Sequence, residues 1–242
     1  MAKAHKANNM KHLFLFVAIL SSTLTNAATD TVHHPDPKDP QYVEANLYEA
    51  FRNKIPLPPT IGSEGQVEDE RMLFKLQKER ITQQCESAKT EVFVSLNNFY
   101  KRELSQMKES QFKKLSEFFE IVRNDGDYFI QKLKKDFPRQ RPYNYIRGIM
   151  PCVPKEVTGA YPSGHATLSQ LYALILSDFF PSLKEKLMAR AFEIGNHRIL
   201  SGMHHPSDVK TGQILGELIY IELKKVKKFR AHFVKLKKEV SE

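Results

Sequence analysis

Apolar residues recur along most of this chain at the three- and four-residue spacing of a helix buried on one face. In residues 41–53 the stripe is Val43, Leu47, Ala50 and Phe51, and it stops at the proline- and glycine-rich run IPLPPTIGSEG. Helical period returns over residues 67–88, 92–104 and 112–122, where Phe112, Leu115, Phe118, Phe119 and Val122 share a face. Asp125-Gly126 reads as a separator between that pattern and a helix beginning near Tyr128, which Pro138 and Pro142 end. Ser163 suits the N-cap of an apolar run from Leu168 to Phe180, and Pro181-Ser182 restarts a helix that runs to about Gly195. Pro206 suits the first position of a last helix, which passes through Ile214, Leu218, Ile221 and Leu223 into a basic tail. Alternation of period two is poor, and Glu, Lys, Gln and Leu usage favours helix. The expected fold is an all-α, single-domain helical bundle without internal repeats.

The ends of the chain change this picture. Lys3, Lys6 and Lys11 precede an apolar run from Leu13 to Leu20, and Thr25-Asn26-Ala27 offers small residues for cleavage, so residues 1–27 read as a secretory signal peptide. An uncleaved anchor is the alternative, and Met10 could itself be the start. No later run reaches the roughly 18 apolar residues of a span, so no membrane crossing is expected after signal cleavage. The expected location is periplasmic or secreted. Residues 28–40, with His33 and His34, form a polar leader, residues 41–223 the folded domain and residues 224–242 a basic helical tail. Removing residues 1–27 lowers the formal charge from +9 to +6, and the tail alone carries +6, so the rest of the mature chain is formally neutral. Only Phe229 and Phe233 interleave the tail's charges, which argues against a nucleic-acid module. Cys85 and Cys152 could pair in an exported protein or remain two free thiols. No cysteine or histidine spacing suggests a zinc site, and neither an EF-hand nor a P-loop is present, so no metal and no cofactor are expected.

Candidate chemistry concentrates in residues 195–209, GNHRILSGMHHPSDV. With His205 as the cap before Pro206, Asp208 falls in the first turn and can reach back toward His204. A carboxylate against one ring nitrogen leaves the other as an available lone pair, which a nucleophile or base requires. Arg198 adds a planar fork of donors suited to phosphate oxygens. Upstream, Lys132, Lys134, Lys135, Arg139 and Arg141 crowd a proline-broken helix end, and Ser163, Gly164 and His165 open the apolar helix. An anion can sit on such a helix N-terminus. Taken singly, each stretch is also explained as a capping loop or a solvated helix end.

Together, Lys134, Arg141-Pro142, PSGH at Pro162 to His165, and Arg198, His204 and Asp208 resemble the three-part signature of the PAP2 phosphatase superfamily, which shares its fold with vanadium haloperoxidases. The chain looks most like the class A bacterial non-specific acid phosphatases, with further counterparts in LPPTIGS at Leu57 to Ser63, the Cys152 loop, YPSGH and SGMHHPSDV. One departure is His197, where serine is common in the family. The resemblance selects Lys134, Arg141 and His204 over their neighbours. It implies that His204 is the nucleophile, that Asp208 fixes its tautomer, and that His165 is the general acid and then the base. Lys134, Arg141, Ser163, Gly164 and Arg198 would bind phosphate. The implied activity is metal-independent hydrolysis of small phosphomonoesters through a phosphohistidine, with homo-oligomerisation left open. A lipid phosphate or pyrophosphate phosphatase of the same superfamily and a non-catalytic phosphate- or polyanion-binding protein are the rivals. A haloperoxidase fits a chain this short less well.

Overall fold

The computed structural model describes residues 31–33, 36–100 and 103–241. The signal-peptide expectation lies outside the described residues, as do His34 and part of the leader. Ten α-helices occur among the described residues: α1 (Tyr48–Lys54), α2 (Glu64–Glu79), α3 (Thr82–Lys89), α4 (Asn97–Tyr100), α5 (Glu109–Asp136), α6 (Pro142–Tyr145), α7 (Gly164–Phe179), α8 (Lys184–Leu200), α9 (Pro206–Lys225) and α10 (Lys227–Ser241). The two strands, β1 (Thr31–Val32) and β2 (Lys155–Glu156), pair in parallel and tie the leader to the segment ahead of α7. The all-α expectation holds.

The bundle is organised around α7. This helix is apolar on nearly every side and buried at most of its positions, because α5, α8 and α9 all pack on it. Glycines allow the closest approach: a Cβ at Gly212 of α9 would stand 2.5 Å from the Ser163 carbonyl oxygen, and one at Gly216 would stand 2.6 Å from that of Thr167. The main core joins Leu115, Phe118, Phe119 and Val122 of α5 to Leu171, Tyr172 and Ile175 of α7 and Leu215 and Ile219 of α9. Helix α10 lays Phe229, Leu236 and Val240 into the same core, so the tail's apolar face is covered and its lysines stay outside.

Several expected boundaries move. Asp125-Gly126 does not interrupt a helix: α5 is continuous over 28 residues. Gly126 is instead a point of close approach, since a Cβ there would meet Leu168 of α7 at 2.8 Å. Asp125 is buried and accepts from the backbone N–H groups of Gln41, Tyr42 and Val43 at 2.7, 2.8 and 2.9 Å, anchoring the chain that enters α1. The expected helix over residues 67–88 breaks at Arg80 and Ile81, where Arg80 turns to the carbonyls of Met150 and Leu200. Among the described residues of 92–104 only α4 is helical, although Val94, Leu96, Phe99 and Leu104 are buried in the core. Helix α8 runs past Gly195 to Leu200 and carries His197 and Arg198 in its last turn.

Candidate active site

The last turns of α5 and α8 and the first turns of α6, α7 and α9 meet at one end of the bundle. Ser163 caps α7, its Oγ accepting from Ala166 N–H at 3.4 Å, and His205 is the N-cap of α9 with Pro206 at the first position. The two helix starts are joined directly, because Ser163 N–H donates to the Asp208 carbonyl at 3.0 Å. After α8, Gly202 takes φ +73°, and the Met203 and His204 N–H groups both donate to the Arg198 carbonyl at 3.0 and 3.1 Å. This tight turn brings His204 back beside Arg198. The Cys85–Cys152 disulfide joins α3 to the loop beside it, and Cys152 N–H donates to Ser201 O at 3.2 Å.

All eight residues singled out in the sequence come together here. Lys134 ends α5 with its Nζ donating to Gly159 O, and Arg141 is the N-cap of α6. Arg141 Nη1 lies 2.9 Å from His204 Nε2, and since a guanidinium can only donate, that nitrogen is the acceptor and the proton sits on Nδ1. Nδ1 faces Asp208 Oδ2 at 3.6 Å, just beyond hydrogen-bond length. Arg198 reaches Glu156 Oε1 through Nη2 at 2.7 Å, while its Nε and Nη1 are buried without a partner. His165 is anchored by Nε2 to the carbonyls of Glu91 and Val92 at 2.9 and 3.1 Å. Lys134, Gly164 and His165 line a small pocket that Phe93, Arg123 and Asp127 also border.

Electrostatics follow from burial. Desolvation, reinforced by Arg141, pulls the His204 pKa down to about 3, so its imidazole is neutral in mild acid. Desolvation and the Arg141 charge bring Lys134 down to about 7. For Asp208 burial alone would raise the pKa, but the nearby His204 ring, the hydrogen bond from His205 and the Arg139 charge outweigh it and hold the carboxyl well below the usual range.

Four supporting residues escaped the sequence reading. Arg139 sends Nη1 to Asp208 Oδ1 at 2.6 Å and Nη2 to Asp69 at 2.8 Å, so the arginine set aside for Arg141 holds the site's aspartate from behind. His205 is fully buried, with Nδ1 on Asp208 Oδ2 at 2.9 Å and Nε2 accepting from Tyr145 OH at 2.9 Å. Its backbone N–H also reaches Asp208 Oδ2, at 2.8 Å. Glu156 joins Arg141 and Arg198. Glu91 pairs with Arg190 at 2.7 Å and with His197 Nδ1 at 2.9 Å, so the histidine in place of a serine supports the segment whose carbonyls hold His165. No short motif could reveal these pairs, whose members other than His205 and Asp208 lie 15 to 106 residues apart.

Residues 126–231 match the PAP2 superfamily. A non-specific acid phosphatase of Salmonella typhi is 25% identical over 96% of this chain and 93% of its own length. One of Providencia stuartii is 27% identical over 76% of this chain and 81% of its own. Among solved structures, a transmembrane PAP2 type phosphatidylglycerolphosphate phosphatase from Bacillus subtilis superposes with a TM-score of 0.51 at 19% identity, covering 74% of this chain and 92% of that one. The matched domain and these relatives point the same way: residues 126–231 carry a PAP2 superfamily domain, and over most of its length the chain is similar to non-specific acid phosphatases.

Proposed function

We propose that this protein is an exported acid phosphatase that hydrolyses small phosphate monoesters through a phosphohistidine, without a metal. The observation that carries the reading is a neutral, buried imidazole, His204, set among Lys134, Arg141 and Arg198, with two Arg198 donors unpaired. Unpaired buried donors are costly unless a ligand uses them, and a phosphate supplies the oxygens. In the first step the His204 Nε2 lone pair forms the N–P bond while the P–O bond to the leaving group breaks, and His165 gives that oxygen a proton. Arg141 covers Nε2, so it must turn its donors to the phosphate before attack. In the second step His165 takes a proton from water, whose oxygen displaces His204 and frees phosphate. The three cations, the Ser163 hydroxyl and the first N–H groups of α7 balance charge on the equatorial oxygens, the work a metal does elsewhere.

Export draws support from the N-terminal sequence pattern and from the disulfide, which suits an oxidising compartment. Among the described residues no helix is long and apolar enough to cross a membrane. The test is a panel of aryl phosphate, nucleotides, sugar phosphates and a lipid phosphate, run on the purified protein with chelator present. Turnover of the small esters is expected. Activity that chelator removes and a divalent metal restores would refute the reading, and turnover confined to the lipid phosphate would move the protein to the lipid-phosphatase class.

A further inference from the structure

Glu156 belongs to no part of the signature, yet its carboxylate occupies the centre of the cationic cluster. One oxygen pairs with Arg141 Nη2 and the other with Arg198 Nη2 at 2.7 Å, and the side chain is 6% exposed. We propose that Glu156 is a resident anion that competes for the phosphate cradle, and that phosphate binds by displacing it from both arginines. This rests on the reading of the cradle as a phosphate site.

The geometry supports displacement over simple neighbourhood. A carboxylate bridging two guanidinium groups presents the same paired oxygens that a phosphate would. Glu156 lines the open pocket together with Lys134 and His165, whereas Arg141, Arg198 and His204 are each 1% exposed and lie behind it. A phosphate entering that pocket meets the Glu156 carboxylate and not the two guanidinium groups paired with it. Nor could both anions share the fork without direct repulsion at short range in a poorly screened site. The replacement is also incomplete from the protein's side, because two carboxylate oxygens leave Arg198 Nε and Nη1 unpaired.

The backbone at Glu156 is held on both sides. Tyr143 OH donates to its carbonyl at 3.0 Å and accepts from its N–H at 3.2 Å, and β1 pairs Val32 with it in register. Release therefore takes a rotation of the side chain, not withdrawal of the segment. A site occupied by its own competitor binds a ligand more weakly by the fraction of time that the competitor is absent. Glu156 thus sets phosphate affinity, and it penalises any anion too weakly bound to displace it.

The experiment is calorimetric titration of the full-length mature protein with orthophosphate, comparing wild type with Glu156→Gln at one mildly acidic pH. The amide keeps the size of the side chain and removes its charge, and orthophosphate should bind tighter by on the order of tenfold or more. Equal or weaker binding by Glu156→Gln overturns the inference. A crystal structure of the wild type with orthophosphate is an independent arm, which stands even if the variant fails to fold. There the Glu156 carboxylate should be away from both arginines, and a bridge retained beside bound phosphate overturns the inference. If the folded wild type binds no orthophosphate at all, the phosphate reading of the cradle falls and takes this inference with it. If the wild type binds it and the variant shows no gain, only the displaced-anion inference falls.

Discussion

Alanine at each of the two adjacent histidines should separate catalysis from stability. His204→Ala removes the proposed nucleophile, so turnover should fall on the order of 10⁴-fold or more with no trapped phosphoenzyme. Its stability cost should be about 1 kcal/mol, because Arg141 Nη1 keeps its bond to Met203 O at 3.2 Å and the lost partner was a neutral ring. His205→Ala should do the reverse. From the sequence alone it is a changed helix cap, worth about 1 kcal/mol or less. In the structure its ring is fully buried between the Asp208 carboxylate and Tyr145 OH, both at 2.9 Å. A hydrogen bond to a charged group contributes about 1.5–3 kcal/mol and a neutral one about 0.5–1.5 kcal/mol. The backbone N–H at 205 still reaches Asp208, so the expected loss is about 2–4 kcal/mol, at roughly 2–4 °C of Tm per kcal/mol. Arg139 still holds Asp208, so phosphoenzyme should form and kcat should fall about tenfold or less. Acid-quench trapping of labelled phosphate and thermal unfolding of both variants provide the measurements. A phosphoenzyme that survives His204→Ala and vanishes in His205→Ala would refute the assignment of roles. A His205→Ala protein that melts with the wild type would refute the buried hydrogen bonds.

Three further outcomes are expected. The kcat/KM profile should rise through about pH 3, as the His204 ring loses its proton, and fall through about pH 7, as Lys134 loses the charge that phosphate needs; Lys134→Arg should carry the upper limb to higher pH, and an unmoved limb would remove Lys134 from the site. Gly212→Ala should cost about 1–3 kcal/mol and depress kcat, because its Cβ would press on the Ser163 carbonyl, whereas Gly216→Ala, which meets Thr167 one turn further on, should cost similar stability with less effect on rate; equal rate losses in the two would argue against Ser163 acting at the site. Reducing Cys85–Cys152, which closes 67 residues, should remove about 4 kcal/mol in the chain-entropy model and lower Tm, and finding two free thiols in the denatured, unreduced protein would contradict the bond.

How far the fold could be read in advance depended on whether the information was local. The stripe Leu115, Phe118, Phe119 and Val122 identifies a core helix because period and burial are properties of one segment. Gly126 misleads for the converse reason: glycine is a breaker in local propensity, but here its missing Cβ admits Leu168 from a helix about 40 residues away, and tertiary packing overrides the preference. Residues 92–104 mislead similarly, since Val94, Leu96, Phe99 and Leu104 are buried in the core although, of the described residues there, only 97–100 are helical. The spacing of the signature blocks assembles the inner residues of the site. Arg139, Glu156 and Glu91 have no such signal, because each acts through a partner that only the packing of the helices supplies.

The supporting residues explain how three carboxylates (Asp69, Glu156 and Asp208), three histidines (His165, His204 and His205) and four basic side chains can share one buried corner. Asp208 is not chiefly a partner of His204: its Oδ1 is taken by Arg139, and its Oδ2 by the backbone and ring of His205, with His204 at the longer 3.6 Å. The aspartate is thereby fixed in place and kept ionised before any substrate arrives. His204 in turn is kept neutral by burial and by Arg141, the same cation proposed to bind the phosphate. That coupling fits nucleophilic catalysis in acid. In free solution a histidine would be protonated and useless as a nucleophile well below its ordinary pKa of about 6.5. Beside a buried guanidinium it retains its lone pair, and in the proposed mechanism the phosphate that draws Arg141 away exposes that lone pair at the moment an electrophilic phosphorus is present. On that proposal, binding and activation of the nucleophile are one rearrangement of charge, carried by cations already fixed in the fold.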